Sequence, residues 1–296
     1  MTNLFEHTSA YWAKYANYEW CIAADGKEYL LPYPSAEASV YDPIPLADQL
    51  VLDAINIGLL VMRKCAKDEI KTAIHTFACS YGLLGLMTAL PTTPNFVEYE
   101  KVYLLKNQFI REEVMDTLAY MKIFFPFQMP DFSKRGVESV WNVSNDDHAE
   151  ASLAMTFSSD GDPRAKAISF MRSYGEPYEW LKEVFLDWAF TFMSAFMYYH
   201  DRDLLDEDTL QLYRKGLACF DGNAPTYHLS LHDAHPVIVW DFHSLMLAVK
   251  FLFSVKLTDA KTPMRMCDHC QKAFIAHRAD SRYCSTECRN KAGKKS

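Results

Sequence analysis

Four of the eight cysteines fall in the last thirty residues, as Cys267-x2-Cys270-x13-Cys284-x3-Cys288. Thiolates are soft, anionic donors, and four of them at this spacing are what a chain needs to enclose one Zn²⁺ tetrahedrally. A closed four-sulfur set leaves no open coordination position, so the expected role is structural rather than catalytic. His269 and His277 lie inside the same stretch and are the alternative ligands. Four thiolates on Zn²⁺ carry a formal charge of about −2. Arg265, Lys272, Arg278, Arg282 and Arg289 surround the cysteines and would balance part of it.

Three local elements must position these sulfurs. Cys267 and Cys270 fit a knuckle, a tight turn whose backbone amides point at the thiolates. Phe274 and Ile275 then offer a short strand and a miniature apolar core, with Tyr283 expected to pack on Phe274. Ser285 is a good helix N-cap for Thr286-Glu-Cys-Arg-Asn-Lys-Ala. Cys284 then lies just before a helix and Cys288 in its first turn, where the helix dipole stabilises negative charge. A knuckle plus a helix-borne pair is a treble-clef arrangement. Without metal the segment has too few apolar residues to fold alone.

This stretch resembles the CGNR-type zinc finger of bacterial proteins that carry a helical N-terminal domain. The resemblance covers about thirty residues. It rests on the Cys267/Cys270 knuckle, Phe274, Arg278-Ala-Asp-Ser-Arg282, Tyr283-Cys284-Ser285, and Cys288-Arg-Asn-Lys291 in place of Cys-Gly-Asn-Arg. The glycine of that motif is Arg289 here and its arginine is Lys291, and the second cysteine pair is closer spaced. The layout of the whole chain also resembles an uncharacterised bacterial family with a helical body and a C-terminal finger. The resemblance implies DNA binding by the finger, in a transcriptional regulator.

Charge gives an independent reason to consider polyanions. The chain carries a net charge of −8, but from Lys261 onward nine Lys/Arg face three Asp/Glu, a net of +6. The remainder, with 21 basic and 35 acidic residues, is at −14. The tail should attract polyanions that the body repels. Arg278, Arg282, Arg289, Lys291, Lys294 and Lys295 are the candidate nucleic-acid contacts. The competing reading sends the same cations to the acidic body or to a partner protein. Self-association through the body is a further option.

The elements before the finger read as a large helical body. Half of the 296 residues are hydrophobic and 14% aromatic, enough for a sizeable core. Apolar spacing predicts helices from Leu46 to Met62, Asp68 to Ala89, Gln108 to Phe124, Pro163 to Tyr174, Pro177 to His200, Asp206 to Phe220 and Asp241 to Lys256. Residues 1–45, interrupted by Pro32, Pro34, Pro43 and Pro45, read as irregular with one strand near Glu28–Leu31. Tyr227–Leu231 and Val237–Trp240 predict a hairpin across His232-Asp-Ala-His-Pro236.

The expected fold is therefore mainly α: a multi-helix body over 1–258 with a small β-hairpin, then a treble-clef finger over 262–296. His228, His232 and His235 fit a polar hairpin tip better than a metal site. Asp146-Asp147-His148 reads as a loop, and Tyr199-His200-Asp201 as a helix end. Trp180, Phe185, Trp188, Phe190, Phe192, Phe196, Tyr198 and Tyr199 read as a fully buried central helix, with an aromatic pocket or dimer interface as the sharper alternative. No Walker, Gly-x-Gly-x-x-Gly, His-Glu-x-x-His or Gly-x-Ser-x-Gly motif is present, so no catalytic residue is assigned. Cys21, Cys65, Cys79 and Cys219 are scattered among apolar residues and form no disulfide framework. The longest apolar stretch is read as Trp188–Tyr199, too short for a bilayer. The N-terminus lacks a signal-peptide pattern, and a cytoplasmic protein is expected.

Overall fold

A computed structural model of the chain describes residues 7–9, 12–85, 101–103, 114–127, 172–201, 203–218, 220, 225–232, 235–242, 244–259, 261–278 and 280–293. The expected helix over 163–174 falls almost wholly outside these residues, as do Asp146-Asp147-His148 and Lys294 and Lys295.

The mainly α expectation needs correction. The fold is mixed, with several small sheets packed around the helices. The one strand expected near Glu28–Leu31 is present as β4 (Glu28–Pro32), and three more stand around it where irregular structure was expected: β2 (Trp12–Tyr15), β3 (Tyr18–Ile22) and β5 (Ala38–Tyr41). β3 and β4 form an antiparallel hairpin from Tyr18↔Pro32 to Ile22↔Glu28, closed by a turn at Asp25-Gly26, where Gly26 has φ 79°. An Asp-Gly pair between aromatic runs is a hairpin signal. The prolines exclude helix here, but at the end of a strand they are compatible with sheet. β8 (Glu176–Pro177) adds to β4, and β2 pairs with β5. A two-residue strand β1 (Thr8–Ser9) runs parallel to β10 (His235–Asp241), which is antiparallel to β9 (Thr226–His232).

The helices α1 (Ala47–Met62), α2 (Lys67–Tyr81) and α4 (Tyr178–Asp201) form the centre. α1 is apolar on several faces and buries Leu50, Val51, Ala54, Ile55, Ile57 and Leu59. Together with the turn before it, Ile44–Met62 has the length and mean hydropathy, 1.6, to cross a bilayer, and so exceeds the Trp188–Tyr199 stretch. In this fold it is a core helix, crossing α4 so closely that a Cβ on Gly58 would stand 1.9 Å from the Phe185 carbonyl oxygen. α4 buries Phe185, Trp188 and Phe192 as expected, but Phe190 and Tyr199 are exposed, so the helix is not buried on every side.

α2 stops at Tyr81, well before Ala89, because Gly82 leaves helical geometry with φ 92°. The extended chain that follows is held by three distant groups. Trp12 Nε1 donates to the Leu83 carbonyl at 2.8 Å, Met246 N donates to Leu84 O, and the Glu176 carboxylate accepts from Leu84 N and Gly85 N.

Of the third expected helix, residues 108–113 lie outside the described residues, and within the rest α3 (Thr117–Phe124) is helical. Before it, β7 (Val114–Asp116) pairs with β6 (Lys101–Tyr103). Such a short exchange of helix for strand is decided by cross-strand partners, here Lys101–Tyr103, rather than by the segment's own apolar spacing. α5 (Glu207–Ala218) is capped by Asp206, which accepts from Thr209 N. α6 (Leu245–Leu257) starts four residues later than expected, since Ser244 caps it while Asp241 ends β10.

Candidate metal centre and its basic surround

The finger is built from a hairpin and a short helix. β11 (Met264–Met266) and β12 (Ala273–Ile275) are antiparallel, with Arg265 opposite Phe274. The knuckle bridges them. Gln271 N donates to the Cys267 carbonyl, Cys267 N donates to the Lys272 carbonyl, and Gln271 takes a left-handed φ of 58° to close the turn. The helix α7 (Thr286–Gly293) begins after Ser285, whose hydroxyl accepts from Cys288 N at 3.2 Å. The cap expected from sequence is in place.

The four cysteine sulfurs lie within 4.8 Å of one another. Cys284 is 3.6 Å from both Cys270 and Cys288. Sulfurs 2.3 Å from a tetrahedral metal stand about 3.8 Å apart, so the sulfur positions fit a closed S₄ site. Neither histidine joins the cluster: His277 is exposed, and among the described residues the grouped ligands are the four cysteines.

Electrostatics favour a cation. Burial opposes ionisation of Cys267, but N–H groups of Cys270, Cys284 and His269 outweigh it and bring the thiol down to about 7. Cys284 is pushed up to about 12, by lost hydration first and then by hydrogen bonds with Cys288, Cys270 and Cys267. One thiolate is welcome in this cage; further ones need a positive charge at its centre.

The hairpin has two faces, and this was not foreseen. Phe274 turns inward and packs with Cys267, Ala276, Tyr283 and Cys288. Met264, Met266, Ala273 and Ile275 turn the other way, into the main core of the body. Period-two alternation puts neighbours Phe274 and Ile275 on opposite sides of a strand, so Ile275 does not belong to the miniature core.

Two side chains of α1 complete the junction. The Asn56 amide donates to the Ala273 carbonyl at 3.2 Å and accepts from Ala273 N at 2.7 Å. Arg63 donates to the Gln271 carbonyl at 3.0 Å. Asn56 was missed from sequence, although an asparagine between Ile55 and Ile57 in so apolar a helix signals a polar partner.

The described candidate cations, Arg278, Arg282, Arg289 and Lys291, are exposed. Arg282 pairs with Asp268 at 2.6 Å, and Lys291 with Glu287 at 2.6 Å, both inside the finger. Arg278, Arg282 and Arg289 line one open cleft of about 400 Å³, together with Ser281, Ser285, Thr286, Tyr283 and one carboxylate, Asp280. Every described lining residue of that cleft comes from the finger. A second cleft of about 350 Å³ lies between α1, α2 and Lys272. Two of its polar groups are already engaged, Asp53 by Tyr81 and Gln49, and Arg63 by backbone carbonyls.

In the β9–β10 hairpin, His232 and His235 face each other, and His7 stacks obliquely on His232 with ring centroids 4.9 Å apart. They do not form a ligand group with converging nitrogens.

Comparison of the chain with the sequence profiles of known families, with curated protein sequences and with solved structures finds no match in any of the three. What stands is a tetracysteine metal-binding cluster in a small C-terminal finger, joined to a mixed α/β body.

Proposed function

We propose that the finger holds one structural zinc on Cys267, Cys270, Cys284 and Cys288 in a treble-clef arrangement, and that its arginine cleft takes phosphates of DNA. On this reading the chain is a DNA-binding regulator of the kind the motif resemblance implies, with the body serving sensing or self-association. The supporting observation is the gathering of Arg278, Arg282 and Arg289 around one open cleft beside Ser281, Ser285 and Thr286. Guanidinium groups and hydroxyls are the usual donors to phosphate oxygens. The Arg282–Asp268 pair is solvent-exposed, so water and salt weaken it and a phosphate can compete for that guanidinium. Lys291, Lys294 and Lys295 would extend the cation row.

The competing reading is a finger that serves only to clamp the body or a partner protein. The hairpin face already committed to the core favours it. Titration of duplex DNA at several salt concentrations separates the two. Neutralising four to six phosphates gives a log–log slope of about −4 to −5, and removing Arg278 and Arg289 together reduces it by about 2. Absence of binding at low salt, or a slope indifferent to both arginines, would leave only the clamp.

A further inference from the structure

Beyond its base, the β9–β10 hairpin carries an apolar face that is largely exposed. Side chains alternate along a strand, and the register pairs Tyr227 with Trp240, Leu229 with Ile238, and Leu231 with Pro236. These six residues share one face, and none is charged. At the base of the hairpin, Trp240 packs toward Phe242, Phe251 and Ile44, and its ring lies 5.6 Å from that of Tyr227. Further out, Tyr227, Leu229, Leu231 and Ile238 are 62%, 68%, 75% and 47% exposed. Isolated exposed leucines need no explanation, but a contiguous patch does. Among the described residues β9 is also an edge strand, bonded to β10 in its sheet.

We propose that this face is where a second copy of the chain packs, hairpin against hairpin, about a two-fold axis. Size is the first argument. The exposed part of the four residues amounts to on the order of 500 Å², and two such faces remove about 1,000 Å² from water, the lower bound for a specific interface. Chemistry is the second. A face without charge offers nothing to a polyanion or to a basic finger, whereas it matches another apolar face.

Shape is the third argument. The rows run from the two wide rings of Tyr227 and Trp240, through Leu229 and Ile238, to the smaller Leu231 and Pro236. A two-fold axis through the middle row lays each wide end over the other copy's narrow end, so the face complements itself. Two twisted sheets packed this way interdigitate at about 10 Å. The proposal does not depend on nucleic-acid binding by the finger.

Sedimentation of the full chain over a concentration series tests it. The wild type should sediment as two chains, and the double substitution Leu229→Glu with Leu231→Glu as one, with zinc content and circular dichroism unchanged. Ser230→Glu lies on the opposite face and should remain a dimer. Leu229 sits beside the axis, so Leu229→Cys should give a disulfide between two copies at residue 229 under mild oxidation. A single-chain mass for the wild type at every concentration would overturn the proposal. So would a dimer that survives both glutamates, or a Leu229→Cys dimer without that link.

Discussion

Glu176 shows how one side chain can organise a region that carries no motif. Its carboxylate is fully buried and accepts from Leu84 N at 3.1 Å, Gly85 N at 2.7 Å and the Tyr174 hydroxyl at 3.2 Å. Burial pushes its pKa up to about 7, and the three donors only partly offset that. A carboxyl held above its unfolded value favours folding when protonated, so its contribution is full below about pH 4.5 and is lost as pH rises through about 7. The loss is on the order of 3 kcal/mol. Glu176→Gln cannot ionise, but its amide meets an N–H where an acceptor stood, costing about 1–3 kcal/mol at any pH. Urea unfolding of both proteins at pH 5 and pH 8 should therefore show the variant clearly less stable at pH 5. The gap should close by pH 8. A gap that does not change with pH would mean that Glu176 stays ionised throughout. Metal loss at acid pH affects both proteins alike and drops out of the difference.

At the scale of elements, the decisive contact is the hairpin β11–β12 against α1. Asn56 satisfies both backbone groups of Ala273, much as a neighbouring strand would. Asn56→Ala leaves a backbone donor and an acceptor half-buried without partners, at about 1–3 kcal/mol. Its expected signature is local: faster hydrogen exchange at Ala273 and earlier proteolysis near 258–264, with zinc still bound. Exchange at Ala273 equal to wild type would show that the apolar face of the hairpin holds the junction unaided. Gly58 has the matching role between α1 and α4, since the helices approach too closely for any side chain there.

At the scale of the whole molecule, the finger and the body share a core. Met264 and Ala273 belong to the same buried cluster as Leu50, Phe185 and Phe253. Metal loss should therefore reach the body. Cys284→Ser should lower zinc from one per chain to near zero, and it should also lower the Tm of the main unfolding transition by several degrees, as a loss of about 1–2 kcal/mol does. Calorimetry with metal analysis checks both. Full zinc retention would refute the four-cysteine site, and an unmoved Tm would refute the shared core.

The metal cluster was legible in the sequence because its signals are local. Cysteine spacing, the Ser285 cap and the start of α7 all act within a few residues. The central helices α1 and α4 were legible for a similar reason, since their apolar spacing is strong over many turns. Of the N-terminal strands β4 was legible, but β2, β3 and β5 were not, because β2 finds β5 only through the tertiary fold and the prolines masked the weaker strand signal. α2 was drawn too long because Gly82 alone does not announce a stop until Glu176 and Trp12 capture the chain beyond it. By itself the sequence determined that four thiolates could close on a metal and that a basic finger follows an acidic body. Only the tertiary structure decided which way the finger's hairpin faces, that Asn56 and Arg63 lock it to α1, and that three arginines share one cleft. Those outcomes depend on contacts between residues that are distant in the chain, and such contacts have no local pattern to read.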